Sequence, residues 1–132
     1  MGYNSDKAIA AAKSQIGDKY VWGGGHGLSQ SGRKAVTTAA GLVRFAIWKG
    51  SDGAIDLGHG GNTDSQYRDG HSRKIGAGER QPGDLVFYGK PSDVHHVALY
   101  IGNNQMIEAQ QTGVPVKESA LCTKQALYVR IV

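Results

Sequence analysis

Pro82-Gly83-Asp84-Leu85-Val86-Phe87-Tyr88, then His96-Val97-Ala98-Leu99-Tyr100-Ile101-Gly102, then Gln105-Met106-Ile107-Glu108-Ala109 is the stretch whose reading decides the fold. Pro-Gly-Asp is a turn signal. Each run after it is short, rich in β-branched and aromatic residues, and bounded by turn formers such as Asn103-Asn104. Residues 114–119 (VPVKES) and 126–132 (ALYVRIV) continue the same texture. The C-terminal half therefore reads as consecutive antiparallel strands.

Working back toward the N-terminus, the texture becomes helical. Residues 6–16 (DKAIAAAKSQI) are alanine-rich, with Ser5 or Asp6 to cap the start and Gly17 to end the helix. Residues 39–50 (AAGLVRFAIWKG) place Leu42, Val43, Ala46 and Ile47 at helical spacing, with Thr37 and Thr38 as cap candidates and Gly50 as a stop. Residues 51–80 are polar and rich in Gly and Asp, and read as a long loop with one helical turn near residues 63–70. Helices followed by a run of strands is an α+β plan, with the helices packed on one face of a small antiparallel sheet.

Composition narrows the function. A chain of 132 residues fits one domain. Its 20 glycines follow no three-residue period, which excludes collagen. No apolar run is long enough for a transmembrane helix. Met1-Gly2-Tyr3-Asn4 has no apolar signal region, so the expectation is a domain cut from a longer or secreted protein. The net charge of +4 suits an anionic partner such as a cell wall. The basic residues form no stripe interleaved with aromatics, so nucleic acid is not expected. Cys122 is the one thiol, which excludes an internal disulfide and a multi-cysteine zinc site. His26, His59 and His71 lie in loops without the spacing of a helix-borne zinc site, so no metal or cofactor is expected.

Five segments in order carry a resemblance: Tyr20-Val21-Trp22-Gly23-Gly24, Gly41-Leu42-Val43, and the three strands quoted first. Together they resemble the NlpC-type cell-wall peptidases, papain-like cysteine enzymes that cut peptidoglycan peptide stems. The resemblance implies a papain-like α+β domain spanning 1–132. It further implies a D,L-endopeptidase acting on γ-D-glutamyl–diamino acid bonds, in the bacterial envelope. An amidase or transferase on the same scaffold is the alternative chemistry. An antibacterial effector with a matching immunity protein is a biological variant of the same reading.

In that family the nucleophile lies in Asp-Cys-Ser/Ala-Gly-Leu-Val. Here the stretch is Thr38-Ala39-Ala40-Gly41-Leu42-Val43, so Ala39 holds the cysteine position. Intact supporting residues favour a deliberate Cys→Ala change. Thr38, where the family has Asp, gives weight to a natural pseudoenzyme that binds wall peptides uncut. By resemblance His96 is the general base and Glu108 the residue that orients it. Tyr20, Thr38, Ala40 and His95 are the substrate-side residues. A regular strand would point His95 to the opposite face from His96, at the rim. Cys122 follows His96 in sequence, the reverse of the family order; permuted relatives have that order, which leaves Cys122 open as a nucleophile, with an incidental thiol as its default reading.

Strand parity tests the His96–Glu108 pair. A two-residue turn pairing Gly102 with Gln105 puts the two side chains on opposite faces. A three-residue loop pairs Ala98 with Glu108 and makes His96 its diagonal neighbour on the same face. The site hypothesis therefore requires an odd-length loop, with Ala98 and Met106 on the site face and Leu99 and Ile107 on the other.

Overall fold

The computed structural model describes residues 2–17, 39–60, 62–110 and 115–132. Among the described residues three helices, α1 (Ser5–Lys13), α2 (Ala39–Gly50) and α3 (Thr63–Tyr67), precede six strands. The strands are β1 (Ser72–Ile75), β2 (Leu85–Lys90), β3 (Asp93–Gly102), β4 (Gln105–Glu108), β5 (Lys117–Ala120) and β6 (Ala126–Ile131). They form one antiparallel sheet in the order β1-β6-β2-β3-β4-β5. The α+β expectation holds.

Helix α2 runs from Ala39, where the described residues resume, to the expected end at Gly50. Its cap candidates Thr37 and Thr38 lie outside the described residues. Helix α1 starts one residue earlier than the sequence suggests and ends at Lys13. Asn4, rather than Ser5 or Asp6, is the cap, its Oδ1 accepting from the Lys7 N–H at 3.0 Å. Residues 14–17 follow as a turn, and Gly17 carries the left-handed φ of +97° that ends it.

The sheet has two apolar faces. One meets the helices: Leu85, Phe87, Val97, Leu99, Ile107 and Val129 pack with Leu42, Val43, Phe45 and Ile47 of α2 and with Ala8 and Ala12 of α1. The other gathers Val86, Tyr88, Ala98, Tyr100, Met106 and Tyr128. Strands buried on both sides account for the near-continuous apolar runs in β2 and β3.

The segment 51–80 is more ordered than its composition suggests. It contains two 3₁₀ turns (Leu57–Gly60 and Ala77–Glu79), helix α3 and the edge strand β1. The pattern conceals β1 because Ser72, Arg73 and Lys74 are polar. Pairing with β6, from Ser72–Ile131 to Ile75–Tyr128, makes it a strand.

The β3–β4 connection combines the two loops considered above. Asn103 and Asn104 form a two-residue turn with φ of +53° and +57°, and Gly102 pairs with Gln105. The register then shifts between Tyr100 and Gly102, so that Tyr100 opposes Met106 and Leu99 opposes Ile107. The extra residue in β3 restores the parity that a three-residue loop would give. Ala98 and Met106 lie on one face, Leu99 and Ile107 on the other.

Candidate active site

A second irregularity shapes the start of β3. Tyr88 pairs with His96, but Gly89 pairs with Val94, which leaves His95 as an extra residue. Gly89 sits at φ +123°, and a Cβ there would lie 2.4 Å from the Asp93 carbonyl oxygen, so the bulge requires glycine. The bulge overturns the expectation that His95 points away from His96. Val94 and Val97 both face the helices, and both histidines line the same groove.

His96 Nε2 lies 2.9 Å from Glu108 Oε1. A carboxylate has no proton to give, so the imidazole donates through Nε2 and leaves Nδ1 as the free base. The Gln110 amide donates to Glu108 Oε2 at 3.0 Å, so both carboxylate oxygens are engaged. The His96 ring stacks on Tyr88 at 5.8 Å between centroids. Tyr88 is held in turn by its hydroxyl, which donates to the Cys122 carbonyl at 2.8 Å. Burial pushes the Tyr88 hydroxyl pKa up, keeping it a neutral donor.

Glu108 is only 3% exposed. Burial favours its neutral form. That effect is outweighed by the His96 hydrogen bond, by Ser119 facing it without a formed hydrogen bond, by the His96 charge and by Gln110. The net result is a carboxyl held below its ordinary value of 4.5. The stability this confers is complete above that value and disappears as pH falls through the lower, folded-state pKa. Urea unfolding between pH 7 and pH 3 should therefore show an acid-side loss of stability that Glu108→Gln makes shallower. An unchanged slope in the variant would remove Glu108 from the acid response.

Ala39 is the first residue of α2, buried against the core, and α2 packs on β3, the strand that carries His96. Ala40 is buried beside it, and its carbonyl accepts from the Gln66 amide at 2.8 Å. Gln66 is 1% exposed on α3 and braces the first turn of α2. Gly58 at φ +75° makes room for it: a Cβ there would lie 2.7 Å from Gln66 Cγ. Sequence reasoning missed Gln66, since a lone Gln in a polar segment carries no periodic signal. Gln110 was missed for the same reason. Tyr20 and Thr38 lie outside the described residues.

The groove beyond His96 encloses about 560 Å³. Tyr88, Met106, Glu108, Ser119 and Cys122 line it, with Lys117 and Lys124 at its sides. Among the described residues no group of three His, Cys, Asp or Glu side chains could hold a metal ion. Among them also, no helix is long and apolar enough to cross a membrane.

Comparison with known proteins adds three findings. The sequence profile of the NlpC/P60 family matches residues 17–130. The peptidoglycan endopeptidase RipA of Mycolicibacterium smegmatis is 39% identical over 120 residues, covering 87% of this chain and 23% of RipA. The chain thus spans about a quarter of the length of the curated relatives it first matches. Solved RipA structures carry mutations at a cysteine, a histidine or a glutamate, the last two separated by the same 12 positions as His96 and Glu108. The one mutated at the cysteine superposes with a TM-score of 0.77 at 35% identity, over 96% of this chain and 61% of that one. The NlpC/p60 domain of the peptidoglycan hydrolase SagA superposes with a TM-score of 0.79 at 29% identity, over 97% of this chain and 99% of that one. RipD of Mycobacterium tuberculosis, described as a non-catalytic NlpC/p60 domain protein adapted to peptidoglycan binding, superposes at 0.74 with 28% identity, over 97% of both chains.

Proposed function

The chain belongs to the NlpC/P60 family, and from that membership we propose that it recognises peptidoglycan peptide stems in the groove lined by His96 and Glu108. In its present form it binds these stems without cutting them. The observation that carries this is the combination of a methyl group at position 39 of α2 with an intact His96–Glu108 pair across β3 and β4, the first of which packs against α2. RipD offers the parallel of a related domain described as binding without catalysis.

The chemistry follows once a thiol stands at position 39. The N-terminus of α2 would favour its thiolate, and His96 Nδ1 would accept its proton. Glu108 would stabilise the imidazolium. The thiolate would attack the γ-glutamyl carbonyl, and the C–N bond would break as His96 returned the proton to the leaving amine. Water, activated by the same imidazole, would then release the acyl group from sulfur. This is D,L-endopeptidase chemistry at a γ-D-glutamyl–diamino acid bond. The substrate places the protein in the bacterial envelope. Growth arrest on periplasmic production of the Ala39→Cys form, relieved by a co-produced inhibitor, would mark an effector role.

The test is sedimentation with purified, insoluble peptidoglycan. The unaltered chain should pellet with the wall, be displaced by soluble stem peptide and release no new peptide termini. A chain that stays in the supernatant would sink the proposal. Cys122 supports a second reading, because it lines the same groove as His96. Cleavage by the unaltered chain that disappears with Cys122→Ser would move the nucleophile there.

A further inference from the structure

We propose that Lys117 and Lys124 form a carboxylate-reading subsite for the half of the stem peptide that carries the leaving amine. This rests on the stem-peptide reading above and deepens it. Its basis is the direction of the groove and the charges left unmatched within it.

His96 is the group that returns a proton to the leaving amine, so the amine-bearing half of the peptide must lie on the His96 side of the scissile bond. The groove starts at His96 and Glu108 and extends over Met106 and Ser119 to Cys122 and Gln125. It is therefore positioned to receive that half. Lys117 enters from β5, opposite Glu108 in the β4–β5 register, and Lys124 enters from the turn before β6. Neither lysine has an ion-pair partner among the described residues. Among the described residues lining the groove Glu108 is the one carboxylate, and both its oxygens are engaged by His96 and Gln110. The floor of Tyr88, Met106 and Ser119 is neutral, and two lysines against the single Glu108 carboxylate leave the described lining with a net positive charge. A ligand portion bearing free carboxylates fits this charge. The diamino acid and its terminal D-alanine bear carboxylates in the amine-side half of the stem.

Two synthetic tetrapeptides test the assignment: L-Ala-γ-D-Glu-diamino acid-D-Ala with free carboxylates on the last two residues, and the same peptide amidated there. Binding to the unaltered chain is measured by titration calorimetry at fixed low salt, where a cationic subsite is least screened. Amidation should weaken binding about three- to tenfold. Lys117→Gln with Lys124→Gln should erase that difference, and the Arg replacements should keep it. A thermal melt of each variant confirms that the fold is retained. Equal affinity of the unaltered chain for both peptides would overturn the subsite while leaving stem-peptide recognition intact. So would a difference that survives in the double Gln variant. Binding of neither peptide would overturn the functional reading itself, and the subsite with it.

Discussion

On the reading proposed above, Ala39→Cys should turn a chain expected to release nothing from peptidoglycan into one that liberates stem-peptide fragments. The expected gain is roughly 10⁴-fold or more over the unaltered chain, the scale seen when a covalent nucleophile is removed from a triad-type site. The size of the effect follows from what is already built. Helix α2 presents its first turn at position 39, and Gln66 fixes that turn through the Ala40 carbonyl. His96 has its Nε2 tied to Glu108, which leaves Nδ1 as the base. On the proposed reading, a thiol at this helix start would take its proton acceptor from His96. The measurement is mass spectrometry of digested sacculi, in which the new termini also identify the bond. Adding His96→Ala to Ala39→Cys should return the rate to baseline, because the thiol then loses its base. If Ala39→Cys folds, binds the wall and still cuts nothing, the missing thiol is not what silences the chain.

The second large effect is structural. Asp84→Ala should destabilise the domain by about 3 kcal/mol, the lower end for breaking a buried ion pair by removing one partner. Asp84 is 4% exposed and its carboxylate accepts three bonds. Arg130 donates through Nε at 3.0 Å and through a terminal nitrogen at 2.9 Å, and the Gln81 N–H donates at 2.6 Å. Its carbonyl also accepts from the Tyr100 N–H at 2.9 Å, tying the Pro-Gly-Asp turn to β3. Truncation leaves a partly buried guanidinium and a backbone N–H without their acceptor. Asp84→Asn, which keeps the shape and one acceptor oxygen, should cost less. Arg130→Met should recover part of the loss in the double variant, because it removes the stranded charge. Urea unfolding of the four proteins measures this. A loss under about 1 kcal/mol for Asp84→Ala would show that the pair is solvated and contributes little.

What was legible in the sequence was what repeats. Helix α2 announced itself through Leu42, Val43, Ala46 and Ile47, and strands β2, β3 and β4 through their apolar runs. The His96–Glu108 pair came from the family resemblance, and strand parity served only to test it. The odd-length loop expected for the pair is replaced by a two-residue turn plus a bulge, which gives the same parity. What was illegible depended on partners distant in the chain. Nothing in Ser72-Arg73-Lys74-Ile75 foretells a strand without β6 beside it. The bulge that turns His95 into the groove is set by Gly89 on the neighbouring strand, and Gln66 acquires its role only when α3 docks against α2.

Strand β6 is the last element of the chain, yet it lies inside the sheet between β1 and β2. Val132 donates its N–H to the His71 carbonyl, so even the final residue closes a contact with the middle of the sequence. During synthesis, β1 and the β6-facing edge of β2 must therefore wait until residues 126–131 clear the ribosome exit. Until then Leu85 and Phe87 lack Val129 and Leu127 alongside them. The domain is thus expected to fold in a single late step after β6 has emerged, and a nascent chain stalled before residue 126 presents an open strand edge to chaperones.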